Sequence, residues 1–312
     1  MTSDTILIIG ACGQIGAELT MQLRSMHGNA QVIAADIKKP EGELYTSGPF
    51  EEVNVLDKAG MAAIMDRYGI TQIYNMAAML SATGEKFPHK AWELNMDGLI
   101  NTLQLAVEKK ISKMYWPSSI AAFGPTTPKV DTPQTTIMEP NTIYGISKQA
   151  GERWCEWYYQ KFGLDVRSLR YPGIISYKTM PGGGTTDYAV DIYFKAKQTG
   201  AYTCFLEHDM MLPMMYMPDA IRATIELMEA PADKISVRSS YNLAAMSFTP
   251  AMVGGSIKKY IPEFQLDYAI DFRQKIAETW PGSIDDHQAR ADWGWNHQYD
   301  LDAMTRDMLD NV

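Results

Sequence analysis

Tyr144-Gly145-Ile146-Ser147-Lys148 sets a phenol and an ammonium four residues apart, which places both on one face of a helix. A phenol ordinarily titrates at about 10 and is a poor base at neutral pH. Nearby positive charge stabilises a phenolate. Lys148, together with an oxidised nicotinamide, is therefore expected to draw the Tyr144 pKa down. Tyr144 could then take the proton of a substrate hydroxyl while hydride leaves the same carbon. An isolated Tyr-x-x-x-Lys is also an ordinary amphipathic helix face, so the pair needs support from elsewhere in the chain. That support starts near the first residues. Gly10-Ala11-Cys12-Gly13-Gln14-Ile15-Gly16 has glycines three apart, which allow a tight turn and let backbone N–H groups approach a pyrophosphate at a helix N-terminus. Such a trio can also be a structural turn. Asp36, about 20 residues beyond the last glycine, adds an acid able to accept hydrogen bonds from adenosine ribose hydroxyls. Its charge would repel a 2′-phosphate, so NAD is expected rather than NADP. Lys38 and Lys39 pull the other way if they reach a phosphate, and are otherwise solvated turn residues.

The elements that must position these groups are legible as apolar runs alternating with periodic helices. Thr5–Ile9 and Gln31–Ala35 read as buried parallel strands, with further strands at Glu51–Val55, Gln72–Asn75, Lys113–Pro117 and Asp165–Leu169. Residues 14–27 carry Ile15, Leu19 and Leu23 at helical spacing, and helices are expected near 58–68, 91–109 and 144–161. This alternation predicts an α/β protein: a doubly wound parallel Rossmann sheet with a smaller, interleaved C-terminal lobe for the substrate. The division falls at 1–172 for the dinucleotide-binding domain and 173–312 for the lobe, with part of the latter interleaved with the end of the sheet. Pro181 to Thr186 reads as a loop, and the 21 methionines, Met210-Met211 and Met214-Met215 among them, as flexible core filling.

Composition narrows the function classes. The chain has 312 residues, 28 Lys and Arg against 37 Asp and Glu, and a formal net charge of −9. That balance argues against nucleic-acid binding. No run reaches the roughly 18 apolar residues of a membrane span, and the start has no basic segment before an apolar one, so a cytoplasmic protein is expected. Cys12, Cys155 and Cys204 lie far apart, and His27, His89, His208, His287 and His297 are scattered. No metal site is expected.

The glycine spacing of three and three resembles the extended branch of the short-chain dehydrogenases/reductases, and the likeness runs through most of the first 175 residues. Asn54-Val55-Leu56-Asp57 stands where that family touches adenine. Asn75-Met76-Ala77-Ala78 resembles its motif under the cofactor, and Asn95 matches a helix asparagine that helps hold the active-site framework. Arg170-Tyr171-Pro172-Gly173 resembles the turn whose backbone nears the nicotinamide carboxamide. The resemblance therefore implies a cofactor side made of Gly10, Gly13, Gln14, Ile15, Gly16 and Asp36, then Asn54, Val55, Leu56, Asn75, Ala77 and Ala78. Asn95, Tyr144, Lys148, Tyr171, Pro172 and Ile174 complete it. Pro117-Ser118-Ser119-Ile120-Ala121-Ala122-Phe123-Gly124 resembles the family segment that holds the substrate oxygen. Alignment on Gly124 implies Ser119 as the catalytic hydroxyl beside Tyr144 and Lys148, with Ser118 as second choice.

Three further stretches resemble the short-chain L-threonine 3-dehydrogenases: Met79 to Glu85, Gly182 to Ala189, and Glu278 to Asp286 with Ala291 to Trp295. Their likeness implies oxidation of L-threonine at its β-hydroxyl carbon. Ser81, Ser118, Gly184, Thr185 and Thr186 would bind substrate, aided by glycine N–H groups, and Trp280 would close the pocket. A sugar-nucleotide epimerase or dehydratase shares the cofactor motifs, but needs a larger groove with cations for a diphosphate. A non-catalytic NAD-binding sensor would not need Ser119, Tyr144 and Lys148 together. The family pairs subunits through two helices, here 91–109 and 144–161, so a homodimer is expected; Trp154, Trp157, Tyr158 and Tyr159 give the second more aromatic surface than one buried face needs.

Overall fold

Alternate side chains of an all-apolar strand point to opposite faces, so a run such as Ile6-Leu7-Ile8-Ile9 must be covered on both sides. In the computed structural model, which describes residues 4–178 and 184–312, it is. Strand β1 (Ile6–Ile9) is wholly buried. It is followed by β2 (Val32–Asp36), β3 (Phe50–Glu52), β4 (Gln72–Asn75), β5 (Lys113–Tyr115), β6 (Ser118–Ser119) and β7 (Asp165–Arg167). Six of these form one sheet in the order β3-β2-β1-β4-β5-β7, with every pairing parallel. Ile6 and Ile8 face one core with Leu19, Leu23, Ala220 and Leu227, from helices Gln14–His27 and Met217–Glu229. Leu7 and Ile9 face the other, with Met61, Ile64, Leu99, Leu103 and Cys155 from helices Lys58–Tyr68, Gly98–Glu108 and Ile143–Phe162. The sheet order reverses between β1 and β4, where crevices at the carboxyl ends of strands open.

The expected elements differ from the structure mainly at their ends. The strand expected at 113–117 is divided. Pro117 has no N–H to give a ladder, so β5 stops at Tyr115 and pairing resumes in β6 against β8 (Leu169–Tyr171). The strand expected at Glu51–Val55 ends at Glu52, because the Asn54 side chain accepts from Leu56 N (3.0 Å) and turns the chain. The helix expected at 91–109 is a short helix, Pro88–Trp92, then a π-helical turn, Glu93–Asp97, then Gly98–Glu108.

The later chain moves between the sheet and a second body. Here β9 (Gly173–Ile175) follows β8, and the remaining strands are β10 (Ala201–Cys204), β11 (Leu212–Tyr216), β12 (Tyr241–Asn242), β13 (Met246–Phe248) and β14 (Gln265–Tyr268). The order β13-β11-β9 makes one small sheet and β10-β14 another, while β12 extends the β8-β6 pair. A core containing Tyr188, Tyr193, Phe248, Trp280 and Met304 also takes Ile120, Ala121 and Phe123 from just after the Ser118-Ser119 strand. Met214, Met215 and Met217 are buried core, as expected of filling residues, whereas Met211 of the other expected pair is exposed and Met210 half-buried. Pro181, Gly182 and Gly183 of the expected glycine loop lie outside the described residues. Among those residues, no helix is long and apolar enough to cross a membrane.

Candidate active site

At the carboxyl end of β1 the chain turns through Gly10 at φ +79°, a region open chiefly to glycine. A Cβ there would sit 2.7 Å from the Ala77 nitrogen, and one on Gly16 would sit 2.2 Å from the Gly10 carbonyl oxygen. The first and third glycines are thus demanded by close backbone approach. Gly13 caps the helix Gln14–His27 without a side-chain hydrogen bond, and the first helical turn holds no acid. Its amide groups face outward toward an anion with no side chain competing for them. Asp36, at the end of β2, accepts from Cys12 N (2.9 Å) and Lys38 N (3.1 Å), which holds its carboxylate beside the glycine turn. Burial, with the Asp36 carboxylate nearby, pushes the Cys12 thiol up to about 11, so it stays protonated at neutral pH.

The glycine turn opens into a cleft of about 240 Å³. Thr142 caps the helix Ile143–Phe162 by accepting from Gly145 N (3.1 Å), so Tyr144 lies in the first turn and Lys148 one turn on. Both line the cleft. The Lys148 Nζ donates to the Pro117 carbonyl (2.6 Å) and lies 4.5 Å from the centre of the Trp116 ring and 5.4 Å from that of Tyr144. Burial lowers its pKa to about 7, against the opposing pull of Cys155 and Glu152. Burial also pushes the Tyr144 phenol up to about 12, and the hydrogen-bonding group that draws it back is the Ser119 hydroxyl. The expected lowering of the phenol by Lys148 is therefore corrected. Within the protein, desolvation wins, and Ser119 supplies the counter-effect.

The two serines have different partners although they are neighbours in one strand. Ser119, whose hydroxyl draws the phenol pKa down, accepts from Ala121 N (3.2 Å). Ser118, which also lines the cleft, donates its hydroxyl to Glu152 Oε1 (2.6 Å). Glu152 lies two turns beyond Tyr144 on the same helix and is 0% exposed. Arg170 clamps both its oxygens, Nε to Oε1 at 2.9 Å and Nη2 to Oε2 at 2.8 Å, and reaches Asn242 Oδ1 at 2.9 Å through Nη1. The register pairing Ser118 with Arg170 and Arg170 with Asn242 makes this cluster. Sequence reasoning missed Glu152 as a support. Its i, i+4 spacing from Lys148 was the available signal.

The far end of the cleft is assembled from distant segments. Ser81 opens the helix Ser81–Lys86, whose Glu85 carboxylate accepts from Ile143 N (2.7 Å). Asn95, in the π-helical turn, accepts from Met79 N (2.7 Å) and donates to Met79 O and Ser147 Oγ, joining the loop before Ser81 to the Tyr144 helix. Thr185 is 1% exposed, and among the described residues its hydroxyl has no hydrogen-bond partner. Thr186, Gly184 and Trp280 complete this wall. The Gly184 N–H is not available to a ligand as expected, because it donates to Asp187 Oδ2 (2.6 Å).

Gln14, Ile15, Ala78, Tyr171, Pro172 and Ile174 also line the cleft. The Tyr171 hydroxyl is turned away onto Thr224. Asp36, Asn75, Ala77, Asn95 and the Asn54-Val55-Leu56 segment stand outside the lining. Asn75 fixes the loop by accepting from Ala77 N (3.3 Å), and Val55 packs against Gly98. The cleft also contains Met76, Leu80, Pro117, Ile120, Gly173 and Asp187, which sequence reasoning did not select.

The fold and this geometry define a dinucleotide-binding oxidoreductase, and comparison with known proteins names its family. Residues 6–244 match the NAD dependent epimerase/dehydratase family, and the chain belongs to it. It binds NAD and is an oxidoreductase of the extended short-chain dehydrogenase/reductase type. An uncharacterized epimerase/dehydratase of Staphylococcus saprophyticus is 53% identical over 98% of this chain and 96% of its own. The solved structure of a GalE-like L-threonine dehydrogenase from Cupriavidus necator, in its holo form, is 59% identical. It covers 98% of this chain and 99% of its own, with a TM-score of 0.96. A monomeric L-threonine 3-dehydrogenase from a metagenome is 46% identical, covers 98% of both chains and has a TM-score of 0.95.

Proposed function

We propose that this chain oxidises L-threonine at its β-hydroxyl carbon to L-2-amino-3-oxobutanoate, a step of threonine breakdown. The observation that carries the reading is the pairing of Ser119 and Tyr144 with a small hydroxyl-lined wall of Ser81, Thr185 and Thr186, closed by Trp280. An amino-acid carboxylate and ammonium need hydrogen bonds once buried, and the partnerless Thr185 hydroxyl offers one. A nucleotide-sugar diphosphate would need cations, and Lys148 is the single cationic residue among those lining the cleft. The identity to threonine dehydrogenases of known structure supports the same reading.

The glycine turn and Asp36 would hold NAD, which would supply the two-electron acceptor. Ser119 would hold the substrate hydroxyl oxygen, and Tyr144 would take its proton. Lys148 would keep positive charge near the phenolate, from a site fixed by the Pro117 carbonyl. Glu152 and Arg170 would keep the Ser118-Ser119 strand in register with the Tyr144 helix. Trp280 would exclude water from the reacting carbon.

Absorbance of NADH during incubation with L-threonine, L-allo-threonine, L-serine and UDP-sugars tests the proposal. L-threonine should give the highest rate and L-serine a small one, since a methyl is worth about 1–3 kcal/mol in such a pocket. L-allo-threonine should be far slower, because its hydroxyl carbon is inverted while the carboxylate stays bound. Equal rates for the two threonine epimers would sink the pocket assignment, and thermal protection by UDP-sugars, with no NADH formed from L-threonine, would give the site to a sugar nucleotide, whose epimerisation returns the hydride and leaves no net NADH.

We also propose a homodimer through the helices Gly98–Glu108 and Ile143–Phe162. Trp154, Trp157 and Phe162 on the second helix are 37%, 45% and 48% exposed, and Trp157 stacks edge-on against Phe162. Light scattering at micromolar concentration should give twice the chain mass of 35.0 kDa; a single-chain mass would remove the proposal.

A further inference from the structure

Two segments far apart in the chain run side by side next to Trp280. Gly282 N and Ser283 N both donate to the Lys129 carbonyl, at 2.8 and 3.2 Å. Asp131 N donates to Ser283 Oγ (2.7 Å), and Thr132 forms a parallel bridge with Ile284. The Lys129 side chain adds a cross-link to this strap. Its Nζ donates to the Thr279 carbonyl at 2.6 Å, to that of Trp280 at 3.2 Å and to that of Gly124 at 3.4 Å. An ammonium has three protons, and here each meets a backbone oxygen. Thr279 and Trp280 continue the end of the short helix Arg273–Ala277, where carbonyls lack helical partners and a cation is favoured.

The third contact makes this more than a local cap. Gly124 closes the Ser119-to-Gly124 segment and cannot shift inward, since even a Cβ on it would lie 1.8 Å from the Glu139 carbonyl oxygen. Trp280, in contrast, is a wall between two spaces. One side borders the cleft, and the other borders a second cavity of about 630 Å³ lined by Lys129, Met210, Met211, Gln274 and Ser283. With open volume behind it, the indole needs a tether to keep its distance from the reacting hydroxyl.

We infer that Lys129 is a positioning residue, whose ammonium fixes the Trp280 wall against the Ser119 segment and thereby sets how tightly the amino-acid end of the substrate is held. The inference rests on the amino-acid reading of the cleft. Lys129→Met removes the three donors and keeps much of the side-chain volume, and Lys129→Gln serves if the first variant does not fold. In either, KM for L-threonine should rise at least about tenfold, KM for NAD should stay within twofold, and preference for L-threonine over L-serine should shrink. Hydrogen exchange should accelerate in residues 278–286 and not in 143–162. A lowered melting temperature with unchanged KM for L-threonine would reduce Lys129 to a structural residue, as would exchange that accelerates equally in both segments. If the wild-type chain oxidises no L-threonine, the amino-acid reading fails, while the exchange comparison still decides whether Lys129 anchors Trp280.

Discussion

The two ends of the cleft are built by different means. The nucleotide end comes from one short stretch, Gly10 to Asp36, and works largely through backbone: a positive-φ glycine, an uncapped helix start, and a carboxylate set by two backbone N–H groups. The other end gathers Ser81, Ser119, Tyr144, Thr185 and Trp280 from across the chain and is built of side chains, with Ser81, Thr185 and Trp280 buried and Ser119 and Tyr144 half-buried. Asp36 and Tyr144 are both half-buried and Lys148 is fully buried, and desolvation moves the pKa values of Tyr144 and Lys148 to about 12 and about 7. A backbone cradle tolerates side-chain change around it, while a side-chain pocket depends on every segment that supplies it.

The sharpest way to break that comparison is Tyr144→Phe. Turnover should fall by roughly 10²–10⁴-fold, the usual worth of a positioned base, while NAD affinity measured by titration stays near wild type. An equal loss of NAD affinity would mean that the two ends are not separable. Glu152→Ala comes next. It leaves Arg170 buried without its carboxylate, and losing one partner of a buried pair costs about 3–5 kcal/mol. Chemical denaturation should show a loss of that order, and stability unchanged by the substitution would remove Glu152 from its supporting role. Asp36→Ser should weaken NAD by roughly tenfold, the scale of a lost charged hydrogen bond, and narrow the preference over NADP. Wild-type protein that used both cofactors equally would overturn the ribose assignment.

The smallest expected effect concerns pH. Ser119 draws the phenol down, so Ser119→Ala should let it rise further. Less phenolate then exists at any given pH below the phenol pKa, and the rising limb of log kcat/KM should move to higher pH. A limb that stays in place, with only the plateau lowered, would leave Ser119 holding substrate without tuning Tyr144.

Much of the sheet was legible because burial on both faces leaves a plain mark. The strand at Gln72–Asn75 and the helices at 14–27 and 58–68 stand where apolar period and end residues place them. The breaks were not legible in the same way. Continuous helical periodicity through 91–109 hides the π-helical turn that lets Asn95 reach Met79 and Ser147, since one extra residue in a turn has no composition of its own. Alignment on Gly124 favours Ser119 over Ser118 without giving the physical reason. Adjacent strand residues point to opposite sides, and only the register against Arg170 and the helix holding Glu152 decides which hydroxyl meets the phenol.

What the sequence by itself determined is the local part: the strand-turn-helix that cradles a dinucleotide, the acid after the second strand, and a phenol and ammonium one turn apart. These depend on neighbours within a few residues, or on periodicity that burial imposes along one element. What only the tertiary structure decided is which distant groups face each other and how far burial shifts them. Gly184 spends its N–H on Asp187, Lys148 donates a hydrogen bond to the Pro117 carbonyl, and Lys129 reaches the carbonyl of Trp280. Hydrogen bonding and desolvation depend on distances of a few ångströms between segments that the chain brings together only on folding.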